Sequence, residues 1–165
     1  MNIFILDSDP EIAAKQQCDK HCVKMVLEST QLLCTAFWMQ DIEAPYKKTH
    51  YNHPSAIWAR ESEANFDWLV KHTAALFCEY AQRYGKIHKS ANTFVWVLEN
   101  RFKLKFDKTE LTEFAIAIGQ DQRCRHLNNF DSLSAVEKYR EYYCHDKSYM
   151  AKWDHSKTPN WYKVK

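Results

Sequence analysis

Two glycines and four prolines in 165 residues leave this chain very few places to turn. A many-stranded sheet needs frequent turns, so their scarcity favours long helices. The length is that of one domain, and 45% hydrophobic residues are enough to bury a real core. The expectation is an all-α fold. It is a compact single domain spanning 1–165, of about five helices, with a short extended N-terminal segment and an irregular C-terminal tail.

Met1 to Leu6 reads as the extended segment. Asp9 as N-cap and Pro10 in the first turn then start a helix expected to run from Pro10 to Met39. Its apolar stripe takes in Cys18, Cys22, Met25, Leu32 and Ala36. A polar loop follows from Asp41 to Asn52, and His53-Pro54-Ser55 restarts a helix that Gly85 stops after Tyr84. Its stripe holds Trp58, Trp68, Leu69, Leu76 and Tyr80. A shorter helix is expected over Ala91 to Asn100. Asp107 with Glu110 suggests a capping box opening a helix that ends near Gly119. Ser134 with Glu137 suggests another, opening a last helix to about Trp153, and Pro159 keeps the tail beyond it non-helical.

A formal charge of +2 is too small to make the whole surface a nucleic-acid trap, so any basic face has to be local. Six scattered cysteines without a CxxC pair, and no secretory leader, read as reduced thiols in a cytoplasmic protein. Apolar runs such as Ile3 to Leu6 are far too short to span a bilayer, so no membrane role is expected. His50-Tyr51-Asn52-His53 offers two imidazoles, but nothing completes a ligand set; neither a metal nor a cofactor is expected. A monomer is favoured.

The most informative stretch runs from Cys18 to Glu28. His21 and Glu28 are seven residues apart, which puts them on nearly one helix face about 10 Å apart along the axis. Both lie along the apolar stripe, where an ionisable group is costly unless it finds partners. Those partners are either structural neighbours or a substrate in a cleft. The second helix repeats the mixture, with Glu61, Asn65 and His72 among Trp58 and Trp68. Tyr80, Arg83, Tyr84, Lys86, His88 and Lys89 interleave rings with cations, as do Tyr139, Arg140, Tyr142, Tyr143 and Lys147. Such mixtures suit phosphate contact with base stacking, and they also pack as plain structure.

Asp19-Lys20-His21 followed by Glu28 resembles the Asp-x-His and later Glu of the phage pyrimidine-dimer DNA glycosylases of the endonuclease V type. The tail Pro159-Asn160-Trp161-Tyr162-Lys163 resembles that family's Pro-x-Trp-Tyr-Lys ending. The likeness covers the two ends of the chain and implies a small all-helical enzyme in which the α-amino group of the first residue attacks the sugar C1′. By that resemblance Glu28 is the catalytic carboxylate and His21 orients substrate. The resemblance also implies that Trp161, Tyr162 and Lys163 make contacts near the lesion. The family removes its initiator Met, whereas Asn2 here leaves Met1 in place and makes its amine the nucleophile. The family also has phosphate-binding arginines beside the glutamate; this chain has Leu27 and Gln31, with Lys20 and Lys24 on the neighbouring turn. An α-amino group is a sound nucleophile. As a class these amines leave about a tenth neutral at pH 7, against under about a thousandth for a lysine amine.

The candidate catalytic set is therefore Glu28, His21 and Met1. The candidate substrate contacts are Lys20, Lys24, His53, Trp58, Glu61, Asn65, Arg83, Lys86, Trp161, Tyr162 and Lys163. The expected activity is that of a DNA N-glycosylase-like enzyme, with an AP-lyase step if an imine forms. Two alternatives stay open: a hydrolase of free nucleotides or nucleosides, and a nucleic-acid-binding protein without chemistry. The expected partner is DNA or a nucleotide.

Overall fold

Helix-start chemistry places the first element. In the computed structural model, which describes residues 1–164, Asp9 accepts hydrogen bonds from the N–H groups of Glu11 and Ile12 and opens α1, Pro10–Gln16. Five further helices follow: α2 Asp19–Trp38, α3 Pro54–Glu61, α4 Glu63–Tyr84, α5 Ala91–Asn100 and α6 Ala135–Asp146. Short 3-10 turns cover Arg101–Lys103, Arg123–His126 and Phe130–Ser132, and no strand occurs among the described residues. The fold is all-α. α4 packs against α1, α2 and α3, and α2 also meets α3 and α5. The core between them includes Leu32, Leu33, Phe37, Phe66, Leu69 and Leu76. No helix of the described residues is long and apolar enough to cross a membrane.

The helix expected from Pro10 to Met39 is two. It breaks at Gln17 and Cys18, whose backbones are extended. No glycine or proline marks the spot. Instead, groups from elsewhere in the chain satisfy the backbone groups that the break exposes. Arg83 of α4 donates to the carbonyls of Lys15 and Gln17, Trp153 donates to that of Gln16, and the Asp19 N–H donates to the Lys152 carbonyl. The helix expected from Pro54 to Tyr84 also divides, at Ser62, whose hydroxyl caps Asn65. Gly85 ends α4 at φ 63, the left-handed conformation that a glycine adopts without strain.

The helix expected near 107–119 is absent. This stretch is a strap without regular structure whose polar groups are taken up by other elements. The carbonyls of Lys108 and Thr109 accept the first N–H groups of α4. Asn65 accepts from the Thr112 N–H, and Tyr139 donates to the Ala115 carbonyl while accepting from the Ala117 N–H. Once these groups are satisfied outside a helix, helix formation gains nothing for them. α6 carries the full Ser134–Glu137 capping box but stops at Asp146, short of Trp153.

Candidate active site

The first residues run antiparallel along α2, so chain start meets mid-helix. Phe4 stacks on His21 with ring centres 4.1 Å apart, and two residues earlier the Asn2 N–H donates to Glu28 Oε2 at 3.1 Å. Asn2 Oδ1 accepts the N–H groups of both Ile3 and Phe4, which holds Phe4 at φ 58 and turns its ring inward. This turn delivers the Met1 amino nitrogen to 3.7 Å from Glu28 Oε2. The Met1 side chain is 3% exposed although the residue is half-buried, so solvent reaches chiefly its main-chain end. Lys24 Nζ lies 3.2 Å from Glu28 Oε1, and its own side chain is 64% exposed. The Glu28 side chain, 12% exposed, thus has the Met1 ammonium near one oxygen and the Lys24 ammonium on the other.

His21 has a different setting. It is 6% exposed, stacked on Phe4 and hydrogen-bonded through Nδ1 to the hydroxyl of buried Tyr143. Burial, then the charges of Lys147 and Lys24, hold its pKa down to about 3. It is a neutral interior ring at any ordinary pH. His21 and Glu28 share a ridge of α2, yet the N-terminal segment covers the first and runs out at the second.

The loop before α3 is anchored on α2 two turns beyond Glu28. Thr35, seven residues beyond Glu28 on the same face of α2, donates to the Thr49 carbonyl at 3.2 Å and accepts the Thr49 N–H at 3.3 Å. His53 caps α3, its Nδ1 accepting the Ser55 N–H, so the neutral ring carries its proton on Nε2. Its pKa is lowered, first by burial and then by the Met1 ammonium and His50, while Glu28 acts in the opposite direction. Met1, Lys24 and Glu28 are therefore brought together, with His53 near enough to feel the charges of Met1 and Glu28.

The other candidates lie elsewhere. Asn65 is fully buried, donating to the Trp58 carbonyl and Thr112 Oγ1. Trp58 packs on Trp68 and Phe114. Glu61 pairs with Lys108 on the surface, and Lys20 and Lys86 are exposed. Arg83 is buried and spends its donors on Glu79, Asp19 and two carbonyls. His72 is fully buried. In the tail, Trp161 donates to Gln16 Oε1 and lies against Tyr143 and Arg140, with Tyr162 on Trp153 and Lys163 exposed. Glu28 lies nine residues into α2, about 14 Å along its axis from this end. The tail and the Met1–Glu28 pair do not meet.

A cleft of about 570 Å³ opens at that tail, walled by Lys15, Gln16, Arg83, Lys157, Pro159 and Trp161 among others. Its Arg83 is already fully engaged, so despite its size it presents less free chemistry than the Met1–Glu28 face. Among the described residues no group of three or more His, Cys, Asp or Glu side chains is placed to hold a metal, and Cys18, Cys22, Cys34, Cys78 and Cys124 are free thiols.

No family model, curated protein or solved structure matches this chain. Two contributors to the site were not anticipated from sequence. Asn2 shapes the chain start, and Thr35 anchors the loop. Thr35 had a usable signal, since it repeats the seven-residue spacing from Glu28; Asn2 had none, because its partners lie in α2 and the strap.

Proposed function

We propose that this chain is a DNA N-glycosylase-like enzyme with the Met1 α-amino group as nucleophile and Glu28 as its proton partner. One observation carries the reading: the amine lies 3.7 Å from a carboxylate that the Asn2 N–H orients. A nucleophile beside a held base is the arrangement that amine-based covalent catalysis needs. The likeness of Asp19-Lys20-His21 and Glu28 to the pyrimidine-dimer glycosylases supports it. His21 then serves as a positioning residue, since it acts through Phe4 on the chain start.

The neutral amine attacks C1′ and the N-glycosidic bond breaks, its electron pair leaving with the base, which takes up a proton. The new C1′–N ammonium gives its extra proton to Glu28. Opening of the C1′–O4′ bond, with a proton returned to O4′, leaves an iminium that water hydrolyses. Loss of a C2′ proton instead expels the 3′ phosphate, which is the lyase outcome. Glu28 also stabilises positive charge growing on the sugar.

Borohydride in the presence of DNA bearing abasic sites reads the iminium directly. The wild-type chain is expected to form a covalent adduct mapping to Met1. The adduct is lost when the N-terminus is acetylated, and falls by about a hundredfold or more in Glu28→Gln. An adduct on a lysine, or none, overturns the amine mechanism. Base release without trapping, still dependent on Glu28, points to a hydrolytic glycosylase. Release of base from free nucleosides but not from DNA points to the nucleoside hydrolase.

A further inference from the structure

Residues 44–60 contain no aspartate or glutamate, yet they hold Lys47, Lys48 and Arg60 together with His50 and His53. In a chain whose 23 cations and 21 acids almost cancel, this is a local concentration of one sign. The fold brings it to the Met1–Glu28 pair. Trp38 Nε1 donates to the Tyr46 carbonyl at 2.8 Å, Tyr46 donates to Ser90 Oγ at 2.9 Å, and the two Thr35–Thr49 bonds follow on the Glu28 face of α2. His53 then feels the charges of Met1 and Glu28.

The backbone of this loop is fixed while its two lysines are exposed. His50 sits at φ 46, with Thr49 Oγ1 2.6 Å from its Nδ1 and its carbonyl accepting the His53 N–H at 2.8 Å. Arg60 donates to the Tyr51 carbonyl at 2.7 Å. Lys47, Lys48, His50 and Tyr51 are exposed, and Lys48 Nζ lies 5.1 Å from the centre of the Tyr51 ring. A rigid loop that presents cations beside an open aromatic ring suits a nucleic-acid strand. Phosphates meet the cations and a base stacks on the ring. Lys24 continues the positive edge on the other side of Glu28.

We propose that residues 44–60 form the docking surface for the phosphodiester backbone of a nucleic-acid strand. Lys47 and Lys48 take phosphates, Tyr51 takes a base or sugar, and the strand leads to the Met1 amine. The surface deepens the glycosylase reading and rests on it only for where the strand leads. It places phosphate contacts in a loop distant in sequence from the glutamate.

Fluorescence anisotropy with a labelled single-stranded oligonucleotide, repeated over a salt series, tests it on the full chain. Lys47→Ala/Lys48→Ala is expected to weaken binding about tenfold at low salt. The slope of log affinity against log salt should fall by about 1.4, at about 0.7 for each phosphate that is no longer neutralised. Tyr51→Ala is expected to lower affinity about tenfold with the slope unchanged, since stacking releases no counterions. Lys15→Ala/Lys157→Ala removes equal charge at the Trp161 cleft and is expected to leave the slope as in wild type. An unchanged slope in the Lys47/Lys48 variant, a fall in the Lys15/Lys157 variant, or no binding by the wild-type chain overturns the surface. Failed borohydride trapping with the expected slopes intact sinks the amine mechanism and leaves the surface standing.

Discussion

Asn2 makes four hydrogen bonds in a chain start without regular structure. Its N–H goes to Glu28, its Nδ2 to the Ala117 carbonyl at 2.8 Å, and its Oδ1 accepts from Ile3 and Phe4. Replacement by alanine confuses the test, because a small second residue invites removal of Met1. Asn2→Leu keeps Met1 and deletes both side-chain functions. It leaves two buried N–H groups and a carbonyl unsatisfied, so the expected cost is about 2–4 kcal/mol, read as a lower urea midpoint. If the borohydride adduct also falls by more than the unfolded fraction explains, Asn2 positions the amine; an unchanged adduct and midpoint together refute the role. The need of His21 and Glu28 for partners was legible from their place on an apolar stripe. The identity of those partners was not, because Tyr143 lies 122 residues from His21 and Met1 meets Glu28 only through a turn at Phe4.

Helix content was legible wherever the stop and start residues act locally, as at Asp9, Gly85 and Ser134. It failed where another element supplies the hydrogen bonds. The α1–α2 break depends on Arg83 and Trp153, and the strap depends on Tyr139 and Asn65. Ser62 is an intermediate case, a cap signal hidden inside a continuous apolar pattern. Asn65 is the test of this joint, since it ties together the Trp58 carbonyl at the end of α3, the start of α4 and Thr112 of the strap. Asn65→Leu strands those partners in the interior and is expected to cost about 2–4 kcal/mol in urea denaturation. Ser62→Ala loses only the cap, at about 1 kcal/mol. Equal losses from the two variants would mean that the Asn65 side chain adds nothing beyond the cap.

The near-neutral net charge hid the polarity of the molecule, because charge sums carry no position. Acid-free residues 44–60 are visible in the sequence, but their approach to Met1 and Glu28 needs the Thr35 anchor. The scarcity of glycine did foretell the all-helical architecture, since that argument needs no long-range partner. Two interior imidazoles give the whole fold a further property. His72 donates from Nδ1 to the Pro10 carbonyl at 2.9 Å and accepts from Gln17 Nε2 at 3.2 Å, so both nitrogens are committed to the neutral tautomer that latches α1 to α4. Burial lowers its pKa to about 4, as it lowers that of His21 to about 3. Above pH 6.5, the ordinary imidazole value, neither state binds these protons and the stability is complete. As pH falls below it the unfolded chain takes up two protons that the fold refuses. Stability therefore drops until about pH 4 for His72 and about pH 3 for His21. At about 1.4 kcal/mol per unit, the two depressions total several kcal/mol. Urea midpoints measured from about pH 7 to about pH 4 should fall steeply in the wild-type chain and less steeply in His72→Gln, which cannot titrate. The same slope in both would move the acid sensitivity from this latch to the carboxylates.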